Sequence, residues 1–176
     1  MKRICISFFI VAIIILSVIG LNLQKTQPSE EYLRIHIRAE SNQKEDQAVK
    51  YLVKDRVVEY LTPYIAECDS KNKAEKLLTE QLDEIKEVCD RVLEENGFNY
   101  TSTVKLKNEE FPTRSYGELQ LEKGFYKALI IELGSASGDN WWCVVYPPLC
   151  FVGNGENYVY RSKIKDIIDA FYNKEN

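Results

Sequence analysis

Five cysteines, one histidine and two tryptophans are the residues of this 176-residue chain whose types and spacing bear most on chemistry. Both tryptophans and two of the cysteines crowd into Trp141-Trp142-Cys143-Val144-Val145-Tyr146-Pro147-Pro148-Leu149-Cys150-Phe151. Fully extended, Cys143 and Cys150 would stand about 23 Å apart, whereas a disulfide needs Cα atoms about 4.4–6.8 Å apart. The chain must reverse between them, and Pro147-Pro148 is the place for a tight turn, with a cis peptide as one way to make it. On that reading Cys143 and Cys150 are bridged. Cys68 and Cys89 make a poor alternative pair, because helical sequence separates them by about 27 Å. Cys89 falls on an apolar stripe and reads as a buried, unpaired thiol. A cysteine nucleophile needs a base within hydrogen-bond reach, and the sole histidine, His36, stands between Arg34 and Arg38. A lone histidine also removes most zinc and Ser-His-Asp arrangements. No catalytic residue, metal ligand or cofactor is therefore expected.

The overall balance narrows the class further. Hydrophobic residues make up 45% and charged residues 28% of the chain, a foldable mixture. Only Lys2 and Arg3 are charged among residues 1–23, so the remainder carries 21 basic against 27 acidic side chains. Nucleic acid is excluded as a partner, since phosphate neutralisation needs a clustered basic surface.

After Met1-Lys2-Arg3, residues 4–23 run without an Asp, Glu, Lys, Arg or His. About 20 such residues in a helix match a hydrocarbon core roughly 30 Å thick, and the same pattern suits a secretory signal peptide. Residues 1–23 are read as a signal peptide or membrane anchor, with cleavage and retention both open. The basic start stays in the cytoplasm and the rest is exported. Residues 24–31, polar and containing Pro28, read as a linker, and 32–176 as one exported domain.

Periodicity supplies the elements that must position the cysteines and tryptophans. Tyr32 to Arg38 alternates, with Leu33, Ile35 and Ile37 on one face and Arg34, His36 and Arg38 on the other, so it predicts a half-buried strand with a solvated cationic face. Asn42 and Glu45 make a capping-box pattern for a helix, whose stripe runs from Val49 to Tyr64 and which Pro63 should end or kink. A second helix is predicted from Lys71 to Glu95, stopped by Asn96-Gly97. Strands are predicted at Phe98–Leu106, Tyr116–Leu121, Phe125–Leu133 and Trp141–Tyr146, and a final helix at Arg161–Tyr172. That order is α+β: a helical hairpin on a mostly antiparallel sheet, closed by a C-terminal helix. Trp141 and Trp142 adjoin on a strand, so one should enter the core and leave the other as an anchor for a partner.

Three groups of residues resemble the stage II sporulation protein R family of endospore-forming bacteria. The most specific is Asn140-Trp141-Trp142-Cys143-Val144 with Pro147-Pro148-Leu149-Cys150-Phe151. A second is Arg34-Ile35-His36-Ile37 followed by Ala39, Ser41, Glu45 to Lys50 and Val53-Lys54-Asp55. The third is Phe111-Pro112-Thr113-Arg114-Ser115-Tyr116-Gly117, then Gly124 and Tyr126-Lys127-Ala128-Leu129.

The resemblance implies signalling and not catalysis. Export would carry the protein from the forespore into the space between forespore and mother-cell membranes. There it would activate a membrane-embedded receptor protease of the aspartic type, which cleaves the precursor of the mother-cell sigma-E factor. Two surfaces are candidates for the receptor: the loop of Trp141, Trp142, Pro147, Pro148 and Leu149, and secondarily the strand face of Arg34, His36 and Arg38. No small-molecule substrate is expected. The alternatives are an extracytoplasmic thiol enzyme using Cys143 or Cys150, and a membrane-anchored structural or cell-wall-binding protein.

Overall fold

The computed structural model describes residues 31–117, 119–151 and 158–175. The predicted N-terminal signal peptide or anchor lies outside the described residues. No helix among the described residues is long and apolar enough to cross a membrane.

The first strand, β1 (Leu33–Arg38), leads into three helices: α1 (Lys44–Ile65), α2 (Lys71–Glu80) and α3 (Leu82–Glu95). Strands β2 (Ser102–Phe111), β3 (Arg114–Tyr116), β4 (Leu119–Leu121), β5 (Gly124–Leu133) and β6 (Asn140–Tyr146) follow. A short 3-10 turn (Leu149–Phe151) and helix α4 (Tyr158–Glu175) complete the described chain. The α+β class is as the periodicity predicts. The main sheet has the order β2-β5-β1-β6, and β3 and β4 form a ribbon of their own. Two of its three pairings are antiparallel, but the central one, β1 with β5, is parallel, with Arg34 opposite Ala128 and Ile37 opposite Ile131.

Four local expectations are corrected. The second predicted helix is two, broken at Gln81, whose side-chain oxygen accepts a hydrogen bond from the Tyr60 hydroxyl. Asn42 does not cap α1, because its Oδ1 accepts from the Asp139 amide (2.6 Å) and so belongs to the loop before β6. Pro63 does not stop α1, which runs two residues further, to Ile65. The Tyr116–Leu121 segment is a hairpin turning at Gly117, where φ is +63°. Asn96-Gly97 does end α3, with Gly97 at φ +80° and the Phe98 amide bonded back to the Leu93 carbonyl (3.0 Å).

The sheet is apolar on both faces. Leu33, Ile35, Ile37, Leu129, Ile131 and Val145 pack with Val53, Val57, Leu61, Leu78, Ile85 and Cys89 of the helices in the larger cluster. On the other face Tyr32, Phe111, Leu121, Tyr126, Ala128, Ile130 and Val144 form a second cluster, with the β3–β4 ribbon lying over it through Tyr116 and Leu119. Strand β1 is thus buried on both sides, as the central strand of a two-sided sheet must be.

Residues 134–139 hold β6 beside β1 by folding onto the turn after β1. The Ser137 and Gly138 amides bond to the carbonyls of Glu40 (3.1 Å) and Ala39 (3.0 Å). The approach is close enough that a Cβ on Gly138 would lie 2.3 Å from the Ser41 carbonyl oxygen. Backbone, not a flexible side chain, blocks that space. Gly138→Ala should therefore lower unfolding free energy by about 1–3 kcal/mol, the range for overpacking. Urea unfolding of the variant beside the wild-type protein measures it.

Candidate functional site: the Trp-Trp-Cys strand and the inner face of strand β1

Alternation along β6 sends Trp141 and Trp142 to opposite faces of the sheet. Trp141 lies against the helical cluster, with the Lys54 ammonium 5.9 Å from its ring centroid. Trp142 lies on the second face, stacked on His36 at 3.7 Å and edge-on to Phe111 at 4.7 Å. Both tryptophans are half-buried, so neither the core residue nor the free anchor expected from the alternation is found in pure form.

Beyond β6 the chain reverses as the cysteine spacing requires. The Tyr146–Pro147 peptide is cis, and Cys143 and Cys150 are joined with their Cα atoms 6.0 Å apart. Pro147 and Pro148 are buried, whereas Leu149 and Cys150 are half-buried. The two prolines therefore shape the loop from within, and Leu149 and Cys150 are its part-exposed residues. Cys68 and Cys89 are free thiols, both buried. Burial pushes the Cys89 thiol up to about 12, and raises that of Cys68 as well, the opposite of what activates a thiolate.

Strand β1 departs most from the sequence reading. Arg34 and His36 are each 0% exposed and Arg38 is half-buried, so the solvated cationic face predicted for them is instead an interior one. The cause is the cover supplied by Phe111, Tyr126, Trp142 and the β3–β4 ribbon, none of which is adjacent to β1 in sequence. Arg34 reaches along the aromatic cluster, its guanidinium carbon 4.1 Å from the Phe111 ring centroid and 4.8 Å from that of Tyr126. Its Nη2 donates to the Tyr116 hydroxyl at 2.7 Å. Desolvation lowers the guanidinium pKa, partly countered by the Tyr116 bond.

His36 and Arg38 share a network that the spacing did not reveal. Arg38 bridges Glu132 (3.0 Å) and Glu109, while Lys105 pairs with Glu132 (2.8 Å) and Lys107 with Glu109 (3.0 Å). The Arg38 Nε donates to His36 Nε2 at 3.3 Å, which puts the proton of a neutral ring on Nδ1, 3.4 Å from Glu109. The only forward signal for this network was the spacing by two of Lys105, Lys107 and Glu109 along β2. No cluster of three or more His, Cys, Asp or Glu suited to a metal occurs among the described residues.

Burial dominates His36 and lowers its pKa. The Asn140 contact, Glu109 and Glu132 favour the charged ring, Arg38 opposes it, and desolvation outweighs their sum. Folded His36 therefore releases its proton at lower pH than the unfolded ring, whose pKa is about 6.5. Stability should be flat above that pH, fall as pH drops through it, and level off below the folded pKa. The slope should reach at most about 1.4 kcal/mol per pH unit, and His36→Gln should abolish it. Because the chain has one histidine, this window is separate from the acid limb of carboxylates such as Glu132, which lies below about pH 4.5. Denaturant unfolding from pH 8 to pH 5 reads the difference.

The sporulation resemblance carried by these residues is matched by comparison with known proteins. The family model for stage II sporulation protein R covers residues 29–156, which spans β1 through the disulfide loop. Stage II sporulation protein R of Bacillus subtilis (strain 168) is 32% identical over 166 residues, covering 88% of this chain and 74% of that protein. No solved structure matches. With the Trp-Trp-Cys strand, the bridged loop and β1 all inside the matched span, the chain belongs to the stage II sporulation protein R family.

Proposed function

We propose that this chain is the exported intercompartmental signal of endospore formation. It leaves the forespore by means of residues 1–23 and acts in the space between the forespore and mother-cell membranes. There it activates a membrane-embedded receptor protease of the aspartic type, which cleaves the precursor of the mother-cell sigma-E factor. The observation that supports this most is family membership across residues 29–156, the same span that builds the rigid aromatic loop.

Within that reading the receptor meets the loop side of β6. Trp141 is half-buried, with Lys54 beside its ring, while the neighbouring helix α1 exposes Tyr51 (48%) and Leu52 (47%). Aromatic area that is held in place and only part-covered loses little entropy on binding. Leu149 extends the same loop, Trp142 braces it from the inner face, and Pro147 and Pro148 fix its course. Thiol catalysis fits the geometry less well, since Cys143 and Cys150 are joined and Cys68 and Cys89 are buried with raised pKa values.

The test is reconstitution of this chain with the receptor protease and the precursor sigma factor in a non-sporulating host. Precursor cleavage should depend on this protein; cleavage that proceeds equally without it sinks the signalling reading. Trp141→Ala should abolish cleavage at a small loss of stability, while Trp142→Ala should cost on the order of 3 kcal/mol by removing the stack on His36 and Phe111. A Trp141→Ala variant that signals fully moves the receptor surface elsewhere. Replacing Ile13 and Ile14 by lysine, at about 3 kcal/mol each on insertion scales, should hold the protein in the cytoplasm. Cell fractionation shows whether it does.

A further inference from the structure

Among the described residues one arginine and one lysine are fully buried, and they are housed very differently. The Lys50 ammonium has two acceptors, the Gln47 side-chain oxygen (2.7 Å) and the Asp139 carbonyl (3.0 Å). Arg34, the largest of the fully buried side chains, has one close acceptor, the Tyr116 hydroxyl, and a further polar interaction with Tyr126. Its Nε and Nη1 are buried with no hydrogen-bond partner, and among the described residues no carboxylate lies within ion-pair distance of it. Aromatic faces surround it instead: Phe111, Tyr126 and, at 5.7 Å, Tyr116. Those rings attract the cation, but none of them supplies a hydrogen-bond acceptor to Nε or Nη1. A buried guanidinium with two nitrogens unpaired is costly.

We infer that Arg34 is the receiving group of an anion site whose ligand is a carboxylate. A guanidinium carries five N–H donors in a planar fork. Whichever Nη2 hydrogen goes to Tyr116, one two-pronged edge of that fork is left open, and a carboxylate matches such an edge with two parallel bonds. Charge around the site favours the same class: the exposed Arg114, on the β3 strand that also carries Tyr116, adds positive potential at Arg34. Arg34 is itself closed off in this structure, so a ligand would have to enter by displacement of the cover at Tyr116, which is half-buried and sits on a ribbon that is not hydrogen-bonded into the main sheet. The site stands on its own geometry, whatever the receptor proves to be.

Proton–nitrogen correlation spectra of the arginine Nε–H groups, recorded on the full ¹⁵N-labelled chain in detergent, test it directly. Arg34→Lys identifies the Arg34 resonance by its loss, and Tyr116→Phe by its displacement, so either variant suffices if the other fails to fold. Sodium acetate, titrated at ionic strength matched with sodium chloride, should move the Arg34 resonance saturably, and chloride alone should not. A short peptide with one internal glutamate and blocked ends is the second probe. Saturation at lower concentration by the peptide assigns the ligand to a polypeptide side chain; saturation at lower concentration by acetate assigns it to a free small carboxylate. Tyr116→Phe, which frees one more donor, should bind acetate at least as tightly as the wild-type protein. An Arg34 resonance unmoved by both probes, or moved equally by chloride, overturns the inference, as does loss of acetate binding in Tyr116→Phe.

Discussion

Burial of β1 on both faces is the constraint on which the rest of this structure depends. The strand lies between β5 and β6, so its backbone is paired on both edges while its side chains feed two separate clusters. Leu33, Ile35 and Ile37 meet the helices, and that alternation locks the register, since a one-residue slip would drive Arg34 and His36 into the larger core. Having fixed the apolar half, the fold must then house those two polar residues. It does so mainly with aromatic cover: Phe111, Tyr126, Tyr116 and Trp142 close over them, and among the described residues only His36 of the two also has a carboxylate beside it, Glu109 at 3.4 Å.

What was legible in the sequence follows from that division. Alternation at period two disclosed β1, and apolar runs bounded by turn residues disclosed β5 and β6, each close to its observed limits. The same alternation misplaced the far side of β1, since period two says that two faces differ and not that either is wet. The cover over Arg34 comes from Phe111, Tyr116 and Tyr126, far along the chain and brought back by a parallel β1–β5 pairing that leaves no local signature. The break at Gln81 was equally hidden, because the apolar stripe runs on through it from Leu78 to Ile85 and only a tertiary bond from Tyr60 marks the place. Cys143 with Cys150, by contrast, could be read early. Their pairing depends on a reversal within the six residues between them, and the prolines that make the turn stand inside it.

Trp141 and Trp142 join the two clusters mechanically. Being adjacent on one strand, they cannot move independently, and the strand is anchored at one end by the Gly138 loop and at the other by the disulfide. A contact made at Trp141 on the helical side is therefore one residue from the His36 stack, and His36 in turn is two residues from Arg34. Contiguity of this sort is a physical route between faces, although it becomes a coupling only if some element along it has two arrangements.

Electrostatics then bears on how a partner would be recognised. Arg38, the one member of the β1 trio with any exposure, is shared between Glu109 and Glu132, and Lys105 and Lys107 pair with the same two carboxylates. A mesh of alternating charge has little field beyond a Debye length of about 8 Å in physiological salt. This edge of the sheet therefore cannot steer a partner from a distance, even an acidic one, and the chain as a whole carries net negative charge. Long-range attraction mainly sets association rate, whereas desolvated aromatic area sets how long a complex lasts. On the proposed function, with the charges of this edge cancelled among themselves and the tryptophans held on β6, contacts with the receptor would form at close range and be little affected by salt.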